Sequence, residues 1–269
     1  IPGPNSSSPL WANGAILRID YAPSHGGQLT KPLIVAEGFD AGSILTPEIE
    51  GGDRTLFGEN NFLESLQNTG NLRNLLLFDA SQEYDIVYID WQNGTNSIQH
   101  NSAVLKNVLA WVNTNKQGSE PNVLLGQSMG GVIGRYTLAK MEQAGETHNV
   151  RLFVAHDSPM QGANTPLSLQ YFSRHAYDQY TSAPVLYDLV EVVIPTVLNL
   201  VELMSLGNLD IAFPSVSDAL TLQDTPAAMQ MNYHYVDYSS NPTMSVHNAW
   251  QQEFESAGYP SQSRNIAIS

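Results

Sequence analysis

Between residues 15 and 155 the chain alternates short apolar runs with stretches of helical period, and this alternation constrains its fold more than any other feature. Strands covered by helices on both faces read as continuous apolar runs, whereas half-exposed strands alternate apolar with polar. Ala15 to Ala22 (AILRIDYA) alternates and predicts a half-exposed strand. Pro32–Ala36 (PLIVA), Asp85–Asp90 (DIVYID), Asn122–Gly126 (NVLLG) and Val150–Ala155 (VRLFVA) predict further strands. Helical spacing separates them: Phe62, Leu63 and Leu66, then Leu72, Leu75 and Leu76, fall three or four apart. Val104, Val108 and Val112 share one helical face with Leu105 and Leu109 beside it, and another helix is predicted from Met129 to Gly145. The pattern predicts an α/β fold, a mainly parallel sheet with helices on both faces.

Beyond Gly162 the alternation stops, which predicts a helical insertion over residues 162–243 between a first core part, 1–161, and a return to the core over 244–269. Within the insertion, Leu186, Val190, Val193, Val197, Val201 and Met204 recur at the period of a buried helical stripe. Such a stripe packs into its own domain or forms a lid over an apolar pocket. Asp188, Glu191 and Glu202 interrupt it, Pro195 kinks it and no basic flank borders it, so a transmembrane segment is not expected. Val246, Trp250 and Phe254 restore helical period, and Arg264–Ser269 (RNIAIS) predicts a last strand.

The 269 residues are 42% hydrophobic, enough for a sizeable core, and composition excludes a disordered or low-complexity chain. A net charge of −15 repels phosphate backbones and anionic headgroups, and no basic cluster offsets it, so nucleic acid is not an expected partner. The absence of cysteine removes disulfides, thiolate nucleophiles and cysteine metal sites. The 14% charged fraction, with abundant Asn, Gln, Ser and Thr, points to a bacterial protein that is secreted, periplasmic or at the cell surface. The chain opens at Ile1 without a basic-then-apolar signal segment, as expected of a processed, engineered or truncated N-terminus.

Chemistry concentrates at Gly126-Gln127-Ser128-Met129-Gly130-Gly131, where a predicted strand hands over to a predicted helix. A G-x-S-x-G turn in that setting is a nucleophile elbow: Ser128 is held in a strained conformation and glycines at 126 and 130 let strand and helix converge. Serine needs a base and a preorganised oxyanion site. The backbone N–H of Met129 supplies one oxyanion donor, and the N–H of Phe39, in the loop after PLIVA, is assigned as the second. Glu37 in that loop holds it by hydrogen bonds or takes a direct part in catalysis. No cofactor is required, and neither an H-x-x-x-H pattern nor a carboxylate group with ligand spacing predicts a metal.

The segments EGFD, DIVYIDWQNGT, GQSMGGVIGRY and HDSPMQGANTP resemble the lipase-like branch of the α/β-hydrolase superfamily, near the GPI-inositol-deacylase-like lipases and their uncharacterised bacterial relatives. The resemblance covers about residues 15–165. It implies an α/β-hydrolase fold whose catalytic partners follow in the order Ser, acid, His, and a small-molecule or lipid ester as substrate. Met160 departs from the family, standing where a His is usual. With the strand count, the resemblance implies that acid and His lie beyond Ser269 and that the C-terminal part of the fold is missing. The in-chain alternative is Asp157 as acid with His247 or His234 as base. His247 shares a helical face with Trp250 and Phe254, and His234 lies among Tyr233, Tyr235 and Tyr238, so core packing and an aromatic cluster also account for them. A catalytically incomplete hydrolase-fold module that binds a protein partner is the rival reading.

Overall fold

A computed structural model describes residues 10–11, 14–40, 72–182, 222–237, 239 and 241–269. The predicted stripes at 62–66 and 186–204 lie outside the described residues. The chain divides into two compact units, the first made of residues 1–161 and 252–269 and the second of 162–251.

In the first unit the described strands are β1 (Leu10–Trp11), β2 (Ala15–Asp20), β3 (Pro32–Ala36), β4 (Asp85–Trp91), β5 (Asn122–Gln127), β6 (Val150–His156) and β9 (Arg264–Ile268). They form one sheet in the order β1-β2-β4-β3-β5-β6-β9. β1 with β2 and β2 with β4 are antiparallel, and every other pairing is parallel. Alternation is visible in β2, where Ala15, Leu17 and Ile19 are buried and Ile16 and Arg18 are not fully so. β3 and β4 are buried at every residue, β3 as an unbroken apolar run and β4 with Asp85 and Asp90 buried beside its apolar residues.

Three described α-helices belong wholly to this unit: α1 (Leu72–Phe78), α2 (Ile98–Asn115) and α3 (Met129–Gln143). Because side chains alternate across a strand, Leu33, Val35, Ile86, Tyr88 and Val123 share one face, and α1 covers it with Leu77. Leu76 packs against that cluster while Leu72 and Leu75 are exposed, so the buried edge of α1 is not the stripe the leucine spacing picks out. On the opposite face Leu124 and Phe153 receive α3, whose Gly134 has no room for a Cβ: one would stand 2.7 Å from the Phe153 ring. Ser97 caps α2 by accepting the N–H of His100 at 3.2 Å, and α2 packs on α3, where Thr137 Oγ1 donates to Ser102 Oγ at 2.9 Å; Val104, Val108 and Val112 of α2 are buried. The buried Asp85 accepts N–H bonds from Ala22, Thr30 and Lys31 and pairs with His25, tying the β2–β3 connection to the start of β4.

The second unit contains α4 (Leu167–Ser182), α5 (Pro226–Met231) and a small antiparallel pair, β7 (Tyr235–Val236) with β8 (Pro242–Thr243). The buried Arg174 of α4 donates to the Val236 carbonyl and to Asp224, binding helix to strand. The helix α6 (Ser245–Ala257) divides at Gln251 between the units. No helix among the described residues is long and apolar enough to cross a membrane.

Candidate active site

The chain leaves β3 towards β4 on one side and leaves β5 towards β6 on the other, so the sheet reverses direction between β3 and β5. In open α/β sheets, ligand crevices form outside the carboxyl ends of the two strands at such a reversal. Those two ends carry Glu37-Gly38-Phe39 and Ser128.

Ser128 has φ 51° and ψ −122°, a conformation an L-residue adopts only when its surroundings enforce it. Its N–H donates to the His156 carbonyl at 2.9 Å, and its own carbonyl accepts the Gly131 N–H at 3.1 Å. The glycines around it leave no space for side chains. A Cβ on Gly126 would lie 2.5 Å from the Gly130 and Gly131 backbone, and one on Gly130 would lie 2.3 Å from the Ala36 carbonyl oxygen. A Cβ on Gly131 would meet the Ser158 hydroxyl at 2.0 Å, in the loop after β6. Met129 opens α3, so its N–H is one of the first-turn donors that a helix leaves without an intrahelical acceptor, at the positive end of the helix dipole.

Across from the elbow, Gly38 presses on the nucleophile: a Cβ there would stand 3.1 Å from Ser128 Cβ and 3.6 Å from Ser128 Oγ. Phe39, next in the loop, is half-buried. Glu37 is buried, and its Oε1 accepts the Trp91 N–H at 2.5 Å while the Trp91 indole donates to the Glu37 carbonyl at 3.2 Å. Of the two roles open to Glu37, the structure therefore displays the loop-holding one. The fold also gathers a carboxylate group that spacing along the chain did not reveal: Glu37, Asp40 and Asp90, all buried, bring ligand-type oxygens within 4.8 Å of one another. Linear spacing missed it because β3 and β4 are neighbours, which sets the loop after β3 beside the carboxyl end of β4.

Asp157 follows β6 with φ 47°; it is exposed, and its N–H donates to the Ile268 carbonyl at 2.7 Å. Met160 donates its N–H to the Ser158 carbonyl in the same loop. Among the described residues of the first unit no imidazole hydrogen-bonds Ser128. His25 is held by Asp85, and His148 lies between Glu142 and the Val150 N–H. His234 and His247 belong to the second unit. His247 is 2% exposed, and its Nδ1 lies 2.8 Å from the Gln230 carbonyl; a carbonyl only accepts, so Nδ1 carries the proton and a neutral ring keeps Nε2 as its acceptor. The Tyr233 ring stands edge-on to both His234 and His247.

Sheet order, antiparallel β2, the sheet reversal between β3 and β5 and the strained serine between strand and helix together define the class: the first unit has the α/β-hydrolase fold. No family model and no curated protein matches the chain. Among solved structures it is similar to the mature form of lipase BlEst2 from Bacillus licheniformis, at 13% identity and a TM-score of 0.42, covering 89% of this chain and 65% of that one. In the propeptide form of that lipase it spans 35% of the chain, at 12% identity and a TM-score of 0.42. It is also similar to an esterase from Rhizomucor miehei, at 12% identity and a TM-score of 0.41, covering 98% of this chain and 73% of that one.

Proposed function

We propose that the protein is a serine hydrolase that cleaves carboxylic esters through an acyl-enzyme on Ser128. The observation that carries this reading is the backbone of Ser128, a non-glycine residue at φ 51° and ψ −122° at the carboxyl end of a central strand. Strain of this kind costs about 1–3 kcal/mol and persists where a function requires it. Ser128 Oγ attacks the ester carbonyl, the Met129 and Phe39 N–H groups receive the oxyanion, and a histidine supported by an acid moves the proton from serine to the leaving alcohol. For those two partners Asp157, with His247 or His234, are the in-chain candidates. A preference for lipid-like acyl groups rests on the resemblance of the motifs and on the apolar stretch Val185–Leu206.

Intact-mass spectrometry before and after a fluorophosphonate, with Ser128→Ala alongside, tests the reading. One adduct that disappears in Ser128→Ala is expected. An unmodified wild type would favour the protein-binding module instead. A chain-length series of nitrophenyl esters tests the acyl preference, and activity confined to acetate would remove it.

A further inference from the structure

The loop that carries the Phe39 N–H lies against Ser128, yet its own sequence gives it no stiffness: Gly38, at its centre, has the freest backbone of any residue. What holds it is the end of β4. The Glu37 side chain and carbonyl engage the backbone and indole of one residue, Trp91, in a reciprocal pair, and both residues are buried at 7% and 2% exposure. The same Glu37 carbonyl faces Gly130 on its other side, where a Cβ would come within 2.4 Å. Three residues further, the Asp40 backbone lies so close to Gly94 that a Cβ there would stand 2.8 Å from the Asp40 carbonyl oxygen and 2.9 Å from its nitrogen. The loop is therefore pinned at one end by the last residue of β4 and at the other by the chain that follows it. Peptide planes are rigid, so once the Glu37 carbonyl is fixed, only the two soft dihedrals of Gly38 separate it from the plane that carries the Phe39 N–H.

We propose that Glu37 is a positioning residue, which with Trp91 clamps the Glu37–Phe39 loop so that the Phe39 N–H is aimed at the oxyanion formed on Ser128. This rests on the reading of Ser128 as nucleophile and Phe39 as donor. The Glu37 side-chain oxygen accepts the N–H of a residue buried from solvent, so removing it leaves that donor without a replacement from water. A donor displaced from the oxyanion weakens transition-state stabilisation and leaves ground-state binding nearly untouched, so the loss falls on kcat.

The test compares Glu37→Ala, Glu37→Gln and Trp91→Phe with wild type, by nitrophenyl acetate turnover and by hydrogen exchange at the Phe39 amide. Glu37→Ala is expected to lower kcat about tenfold to hundredfold with KM within about twofold, and to speed Phe39 exchange. Glu37→Gln keeps an oxygen acceptor and is expected to recover most of both. Trp91→Phe removes the indole donor with part of the ring system but keeps the backbone N–H that bonds Glu37, so a smaller loss of about threefold to tenfold is expected, and Phe39 exchange in this variant decides the matter if Glu37→Ala does not fold. Unchanged kcat and Phe39 exchange in Trp91→Phe and Glu37→Ala, or a rise in KM alone, would overturn the clamp. If wild type shows no Ser128-dependent turnover, the hydrolase reading fails and exchange alone judges the clamp: faster at Phe39 in Glu37→Ala and restored in Glu37→Gln upholds it, no change overturns it.

Discussion

At the scale of single residues, the three glycines of the elbow look alike in sequence and differ in what stands against them. Gly130 faces two backbone carbonyls, Ala36 at the end of the central strand β3 and Glu37 just beyond it, whereas Gly131 faces the Ser158 side chain, its hydroxyl nearest. Gly130→Ala is therefore expected to cost more than about 3 kcal/mol or prevent folding, and Gly131→Ala only about 1–2 kcal/mol, as urea denaturation will show. Gly38→Ala behaves differently again, since its Cβ meets Ser128 itself. Its melting temperature is expected within a few degrees of wild type, while the rate of phosphonate labelling falls at least tenfold. The motif made Gly126 and Gly130 readable as steric necessities. The Gly131–Ser158 and Glu37–Trp91 contacts were not readable, because each joins segments that only the parallel sheet brings together.

The strands were legible from their apolar, β-branched runs: PLIVA is β3 as predicted, and DIVYID, NVLLG and VRLFVA each extend by one residue, although Asp85, Asp90 and Asn122 are polar residues buried within them and Arg151 is exposed. The two-residue strands β1, β7 and β8 carry too few residues for any period to register. His247, Trp250 and Phe254 are all buried, as the face they share along α6 implies, whereas Val246, the first residue of the predicted period, is exposed. What fastens the end of α6 was invisible, since it depends on Arg135, a charged residue inside an apolar helix. Its guanidinium lies 4.0 Å from the Phe254 ring centre and 3.7 Å from that of Tyr259, and its Nε donates to the Gly258 carbonyl at 2.9 Å. Arg135→Lys loses the planar stacking and the fixed donor geometry, so it is expected to cost about 1–3 kcal/mol, read as a lower urea midpoint at an unchanged slope.

For the molecule as a whole, closing the first unit requires the segment before β9 to dock on α3, and Glu142 accomplishes this. Its carboxylate accepts the Ser261 N–H and hydroxyl, the Gln262 N–H and a bond from His148. Burial alone would raise its pKa, but these bonds outweigh that and hold it near 2 against an ordinary 4.5. A carboxyl depressed on folding contributes stability in full above its unfolded value and loses it as pH falls through its folded one. Wild type is therefore expected to lose about 1 kcal/mol from this group between pH 4.5 and pH 2, the gain being discounted for solvent screening, and Glu142→Gln to flatten that part of the stability profile. The division into two units has a consequence in time. β9, the neighbour of β6 on the side away from β5, follows the 90 residues of Gly162–Gln251. At about 5–20 residues per second the ribosome takes roughly 5–20 s to cross that interval, during which the edge of β6 waits without its neighbour in the nascent chain and is open to chaperones or to a wrong strand.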